Sequence, residues 1–260
     1  MKTKKVMQKL LQKFLVVTVI IVSLCGFAFA EQADEPAAQA EKDWYVALRL
    51  GFQPYTMEMS GEVGGRHFDA QADLADIMDN TDTTLLGGEM EFGKGKLFMT
   101  LSGFYQKSEV PDGRFEDSTF TETSFNPMIG YRVYQGDGPT PVSVDLMAGA
   151  YYVKISREVY IDKVKFRDKK DTDFTDAMVG ARAYYGFTKQ FGASFFGEVG
   201  AGGSELQYVV SANLVYNFTN WFAMSVGYKY WYFKYDDDEK LMRDFEQQIY
   251  GPTLGVQFKF

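Results

Sequence analysis

The sequence predicts an all-β protein: a transmembrane, antiparallel, up-and-down β-barrel of ten strands, with eight or twelve as the alternatives. Three observations predict it. Ten segments of 9 to 15 residues alternate between apolar and polar side chains with period two. The connections between them are mostly short on one side and long on the other. Across all ten, the apolar face carries no charge away from the segment ends. A strand crosses a bilayer in about 9–11 residues, whereas a strand of a globular domain has about 5–6.

The chain opens with Lys2, Lys4, Lys5, Lys9 and Lys13, then the apolar run Phe14–Leu24, then Ala28 and Ala30 as small residues before a cut. Residues 1–30 therefore read as a secretory signal peptide. The apolar run is short for a membrane anchor, and bulky Leu24 before Cys25 argues against a lipoprotein. Without the five signal-peptide lysines, 22 basic residues meet 35 acidic ones, a net charge of −13. Such a surface argues against nucleic acid as a partner. Cys25 is the only cysteine, so no disulfide is expected. Residues 31–43 are polar and read as a flexible periplasmic lead-in, leaving 44–260 for the barrel.

Taken in order, Trp44–Tyr55 sets Arg49 and Gly51 inward. Leu85–Gly93 does the same with Gly87, Glu89 and Glu91, and Leu97–Lys107 with Phe98 and Phe104. Thr123–Tyr134 contributes Gly130 and Arg132, and Pro141–Ile155 contributes Asp145, Gly149 and Tyr151. Ala177–Phe187 places Val179, Ala181, Ala183 and Tyr185 against Gly180, Arg182 and Gly186. Phe191–Gly202 turns Phe196 and Glu198 inward. In Leu206–Phe218, Tyr208, Val210, Ala212, Leu214 and Tyr216 oppose Gln207, Ser211, Asn213 and Asn217. Trp221–Lys234 opposes Phe222, Met224, Val226, Tyr228 and Tyr230 to Ala223, Ser225, Gly227 and Lys229. Ile249–Phe260 ends the chain with Thr253 and Gln257 on the inner face. A lipid-facing Arg or Lys near the midplane costs about 2–4 kcal/mol, so this register wins over its one-residue slip.

Between the segments, "KGK", "TKQ", "TN" and "QGDGPT" are short turns. The gaps Thr56–Thr84, Ser108–Glu122, Ser156–Asp176 and Tyr235–Gln248 read as long polar loops, with "GSE" at Gly203 a tight exception. Thr56–Val63 and His67–Leu74 can form a hairpin across "GGR": above the membrane it leaves ten strands, and spanning it makes twelve. Merging weak segments gives eight. A water-soluble barrel would face its apolar side inward. Against that, aromatics bound the apolar faces at both ends, among them Trp44, Phe187, Phe222 and Phe260 at one and Phe52, Tyr105, Tyr208 and Tyr250 at the other, as two membrane interfaces require.

The inward set is balanced: Arg49, Arg132, Arg182 and Lys229 against Glu89, Glu91, Asp145 and Glu198. Arg182 and Glu198 lie on adjacent segments and are expected to pair. Together with inward bulky side chains, this lumen charge network favours an occluded interior over an open pore. The loops hold weaker candidates. His67, with Ser60, Asp69, Asp73, Asp76 and Asp79 nearby, is the residue a lipid-modifying barrel enzyme would need, but no spacing is diagnostic and a solvated histidine is favoured. The run Asp236–Glu239 lacks the ligand spacing of an EF-hand. Lys163, Lys165, Arg167, Lys169 and Lys170 form a mixed-charge loop that can meet lipopolysaccharide phosphates. "DLADIMDN" (Asp73–Asn80) reads as a short helix at the membrane edge. No cofactor or metal motif is present.

The final "TLGVQFKF" resembles the C-terminal β-signal of outer-membrane barrels, through Thr253, Gly255, Phe258 and Phe260. The resemblance implies recognition of the unfolded chain by the barrel assembly machinery. "DAMVGARAYYGFTKQFGASFFGEVG" and "ANLVYNFTNWFAMSVGYKYWYFKYDDD" extend the likeness to a group of Gram-negative outer-membrane β-barrel domain proteins of unassigned function. The chain does not resemble the ten-stranded omptin proteases, because no histidine lies in a late loop beside an aspartate pair. The expectation is a monomeric barrel of the Gram-negative outer membrane, in contact with its lipid and lipopolysaccharide. Its expected role is structural or in surface interaction; a narrow channel for small solutes is the alternative, and a lipid-modifying enzyme using His67 a further one.

Overall fold

Alternating side chains can satisfy both faces of a sheet only if the two faces meet different surroundings. In the computed structural model, which describes residues 44–63, 66–73, 82–110, 118–136, 140–161, 166–235 and 242–260, they do. The expected signal peptide and lead-in, residues 74–80 of the expected helix and the run Asp236–Glu239 lie outside the described residues.

Twelve strands form one antiparallel sheet: β1 (Trp44–Phe52), β2 (Thr56–Val63), β3 (Arg66–Asp73), β4 (Asp82–Lys94), β5 (Leu97–Val110) and β6 (Ser118–Gly136), then β7 (Val142–Ile161), β8 (Phe166–Gly186), β9 (Phe191–Gly202), β10 (Leu206–Asn217), β11 (Phe222–Tyr235) and β12 (Met242–Lys259). Ten of them close into a barrel in the order β1, β4 through β12, with the lower part of β12 returning to β1 from Ala47↔Lys259 to Phe52↔Leu254. The upper part of β12 pairs with β2 instead, from Tyr250↔Thr56 to Met242↔Val63, and β2 pairs with β3. The β2–β3 hairpin thus continues the wall upward without joining the closed circuit, and the wall has ten strands.

Leu86, Ile129, Leu146, Val179, Val210 and Leu254 stand outward, 48–62% exposed. Acyl chains are the solvent that such a face requires. At a tilt near 40°, an apolar band about 25 Å tall takes up roughly ten residues per strand. Strands β6, β7 and β8 have 19, 20 and 21 residues, so their upper halves stand clear of it. The gap Ser156–Asp176, expected as a loop, is mostly strand. In water a backbone ladder ends only where its side chains or a turn stop it, and here Lys154 Nζ meets Asp171 Oδ2 at 3.7 Å across the β7–β8 pair.

Turn chemistry sets the ends. Gly95 takes φ 59° between β4 and β5, a value that glycine adopts without strain. The tight β9–β10 connection is held from below by Asp176 of β8. Its carboxylate accepts from Ser204 N at 2.7 Å and from Ser204 Oγ at 2.6 Å.

Candidate functional site

The interior is layered. Nearest the short turns lies a lattice of ion pairs made by inward positions of β1, β4, β6, β7 and β8. Arg49 Nη1 contacts Glu89 Oε1 and donates to Glu91 Oε2 at 2.9 Å, while its Nε donates to Gln257 at 3.0 Å. Arg182 Nη1 donates to Glu91 Oε2 at 2.6 Å, and its Nη2 and Nε reach Asp145 at 2.8 and 3.0 Å. Arg132 Nε donates to the same Asp145 at 2.9 Å. Glu91 and Asp145, with side chains only 3% and 2% exposed, each serve two guanidinium groups. A buried carboxylate is costly unless its oxygens are satisfied in this way. Tyr45 Oη adds a further bond to Glu91 at 2.7 Å.

Six of the eight network residues expected from the sequence meet in this lattice: Arg49, Glu89, Glu91, Arg132, Asp145 and Arg182. The expected Arg182–Glu198 pair does not form. In the β8–β9 register Glu198 faces Gly180 while Arg182 faces Phe196. The guanidinium leans over the Phe98 ring, 4.9 Å from its centroid, toward Glu91 and Asp145. Glu198 instead accepts two bonds from Asn126 Nδ2, at 3.1 and 3.0 Å. Lys229 feels Glu198 and Glu89 at longer range.

The interior is less polar than the sequence led one to expect. Phe98, Met128, Met147 and Met178 form an apolar layer beside the lattice. Higher up, a larger cluster gathers Tyr55, Phe174, Trp231, Phe233, Phe245 and Ile249, with Val153 and Phe233 fully buried. Phe52, expected on the outer ring, packs against this cluster. Asp176 marks its lower boundary. With the Gln207 amide oriented to suit both neighbours, its nitrogen donates to Asp176 at 2.8 Å and its oxygen accepts from Trp231 Nε1 at 3.1 Å. Tyr55, Trp231, Phe233 and Ile249 lie in segments expected as strands, whereas Phe174, Phe245, Gln247 and Glu122 lie in the gaps expected as loops. The missed signal is an inversion of phase. The odd-numbered positions of β12 face inward throughout, but in the upper part they carry apolar Phe245 and Ile249 where Thr253 and Gln257 stand below, while polar Glu246 and Gln248 take the outer face.

The C-terminal residues form the closing seam. Phe258 packs on Phe222 and Trp221 at ring distances of 5.4 and 6.3 Å. Phe260 exchanges two backbone bonds with Val46, at 2.8 and 2.9 Å. Gly255 lies against β11, and Thr253 Oγ1 bonds Asn213 at 2.9 Å. His67 sits on the β2–β3 hairpin, where its Nε2 lies 3.3 Å from Asp69 Oδ2. Both side chains are well exposed, at 64% and 75%. Ser60 is the register partner of Asp69. Among the described residues, no group of three or more His, Cys, Asp or Glu side chains is placed to hold a metal ion.

A closed antiparallel barrel with an apolar outer band and an ion-paired interior is the fold of a Gram-negative outer-membrane β-barrel. Among solved structures it resembles the outer membrane protease OmpT of Escherichia coli, with a TM-score of 0.51 and 12% identity over 84% of this chain and 96% of that one. At that identity the likeness is one of fold. The attachment invasion locus protein Ail of Yersinia pestis matches with a TM-score of 0.37 and 11% identity, over 84% of this chain and 99% of that one. Neisserial surface protein A matches with 0.34 and 12%, over 84% and 97%. No protein-family model matches the chain, and no curated protein does.

Proposed function

We propose that this chain is a monomeric, integral protein of the Gram-negative outer membrane, in contact with lipid and lipopolysaccharide, whose lumen is closed and whose role is structural or in surface interaction. The reading rests on one observation above others: the Arg182–Glu91 contact at 2.6 Å joins β8 to β4, four strands apart in a wall of ten. A contact that crosses the lumen narrows it at this level, which supports a closed interior. The apolar cluster above it adds a second closure. The exposed His67–Asp69 pair lacks the enclosed, water-excluding surroundings that give a catalytic histidine its power, and we assign it no reaction.

The test is single-channel recording of the purified barrel in planar bilayers. A closed lumen gives a flat baseline at all voltages that the bilayer survives. Discrete, reproducible steps of conductance would overturn the reading in favour of a narrow solute channel.

A further inference from the structure

Two buried polar side chains of the upper interior approach each other with no countercharge beside them. Glu122 of β6 is 0% exposed and Gln247 of β12 is 1% exposed. These strands are not neighbours in the wall, so the two meet across the lumen. Beyond each other, neither Glu122 nor Gln247 has a side-chain hydrogen-bond partner among the described residues. The basic residues Arg49, Arg132 and Arg182 are committed to other carboxylates in the lattice below. A buried carboxylate without a countercharge costs several kcal/mol, and a buried amide with unmet hydrogen bonds adds to that.

The surroundings are aromatic. Gln106, the register partner of Glu122, accepts from Tyr55 Oη at 2.7 Å. Two residues along β6 from Glu122, Ser124 accepts from Tyr151 Oη at 3.2 Å, and the Tyr151 ring lies 5.8 Å from that of Trp231. One carboxylate beside tyrosine and tryptophan rings is the chemistry that holds an organic ammonium ion. The carboxylate supplies the opposite charge, the amide oxygen a hydrogen-bond acceptor and the ring faces cation–π attraction. A hard divalent metal needs more oxygen ligands of charge than this single carboxylate offers, and among the described residues no acidic cluster stands nearby.

We propose that Glu122 and Gln247, with Tyr55, Tyr151 and Trp231, form a binding site for a monovalent organic cation, an alkylammonium or quaternary ammonium group, in the outer half of the barrel. The wall is interrupted at this height. Above Leu50↔Gly88, β1 no longer pairs with β4, and β4 from Asp82 to Gly87 has no strand on that side among the described residues. Tyr55, in the link from β1 to β2, reaches from this break to Gln106 of β5.

The site reports on itself through Trp231, which is 7% exposed, whereas Trp44 and Trp221 are 74% and 52% exposed on the outer surface. The full chain carrying Trp44→Phe and Trp221→Phe, folded in detergent micelles, is titrated with tetramethylammonium chloride and with n-butylammonium chloride. Sodium chloride and calcium chloride at matched ionic strength serve as controls. A saturable change in Trp231 emission is expected for at least one ammonium salt and for neither control, with the half-saturation raised tenfold or more by Glu122→Gln. Absence of saturation, an unchanged half-saturation in Glu122→Gln, or saturation by calcium alone would each overturn the site. Gln247→Ala is the second variant, for use if Glu122→Gln does not fold. It is expected to raise the half-saturation several-fold, and an unchanged value counts against the proposal. Emission reads the site whether or not the barrel conducts, so failure here and failure of the closed lumen are separate results.

Discussion

Arg182 on β8 and Glu91 on β4 meet at 2.6 Å across the interior, and Glu91 simultaneously holds Arg49 at 2.9 Å from the neighbouring strand. One carboxylate therefore ties together two guanidinium groups that approach it from different sides of the barrel. Removing it leaves two buried cations short of a partner, whereas removing a partner with the charge leaves fewer groups orphaned.

Glu91→Ala is accordingly expected to lower the unfolding free energy by about 3–5 kcal/mol, the usual cost of breaking a buried pair. Urea unfolding of the barrel in lipid vesicles measures it. The double variant Glu91→Leu/Arg182→Met is expected to regain part of that loss. A single-variant loss under about 1 kcal/mol would show that the lattice does not hold the wall together. Bilayer recordings of Glu91→Ala are expected to stay silent, because the aromatic cluster above still closes the lumen.

Gly130 sits behind the inward ring of Phe98. A Cβ built there would fall 2.1–2.8 Å from three ring carbons. Gly130→Ala should therefore destabilise by about 1–3 kcal/mol through overpacking. In a Phe98→Leu background the same change is expected to cost less. Equal costs in both backgrounds would place the strain elsewhere.

Phe258 and Phe260 close the seam against Trp221, Phe222 and Val46. If these residues also serve as an assembly signal, deletion of Phe260 has two separable effects. The amount of folded protein in outer membranes is expected to fall severalfold, while the purified chain still refolds in detergent. A parallel loss of refolding would assign Phe260 to stability alone.

His67→Ala is expected to leave lipid A and phospholipid profiles of the cells identical to wild type, as the exposure of His67 and Asp69 implies. A changed acyl pattern would return the enzyme reading to the front.

The lower wall was legible because each strand there separates two unlike surroundings, and the alternation of residues such as Val179/Gly180 or Tyr228/Lys229 reports both. Facing alone named the lattice residues. It could not name the partners, since a long arginine chain reaches along the barrel axis as easily as across it: Arg182 bypasses its expected partner Glu198 for Glu91 and Asp145. The upper wall was misread for a different reason. Once the strands rise past the lipid, the outer face turns polar and the apolar side chains turn in. Phe174 is then flanked by exposed Asp173 and Thr175, a pattern that reads as loop if apolar-out is the template. Glu122 and Gln247 were lost with those stretches.

Strand β12 pairs with β11, β1 and β2. The bond from Arg49 to Gln257 spans 208 residues of chain, so the first barrel strand has no partner on that side until the last one has been made. Hairpins from β4 to β11 can form with short chain closures, but the circuit completes only through this single long one, which makes joining the ends the slow event in folding. Until then both β1 and β12 present open hydrogen-bonding edges, which are hazards for pairing with other chains. A substitution at the seam should therefore act on the rate of closure and on loss to aggregation well before it changes the finished barrel.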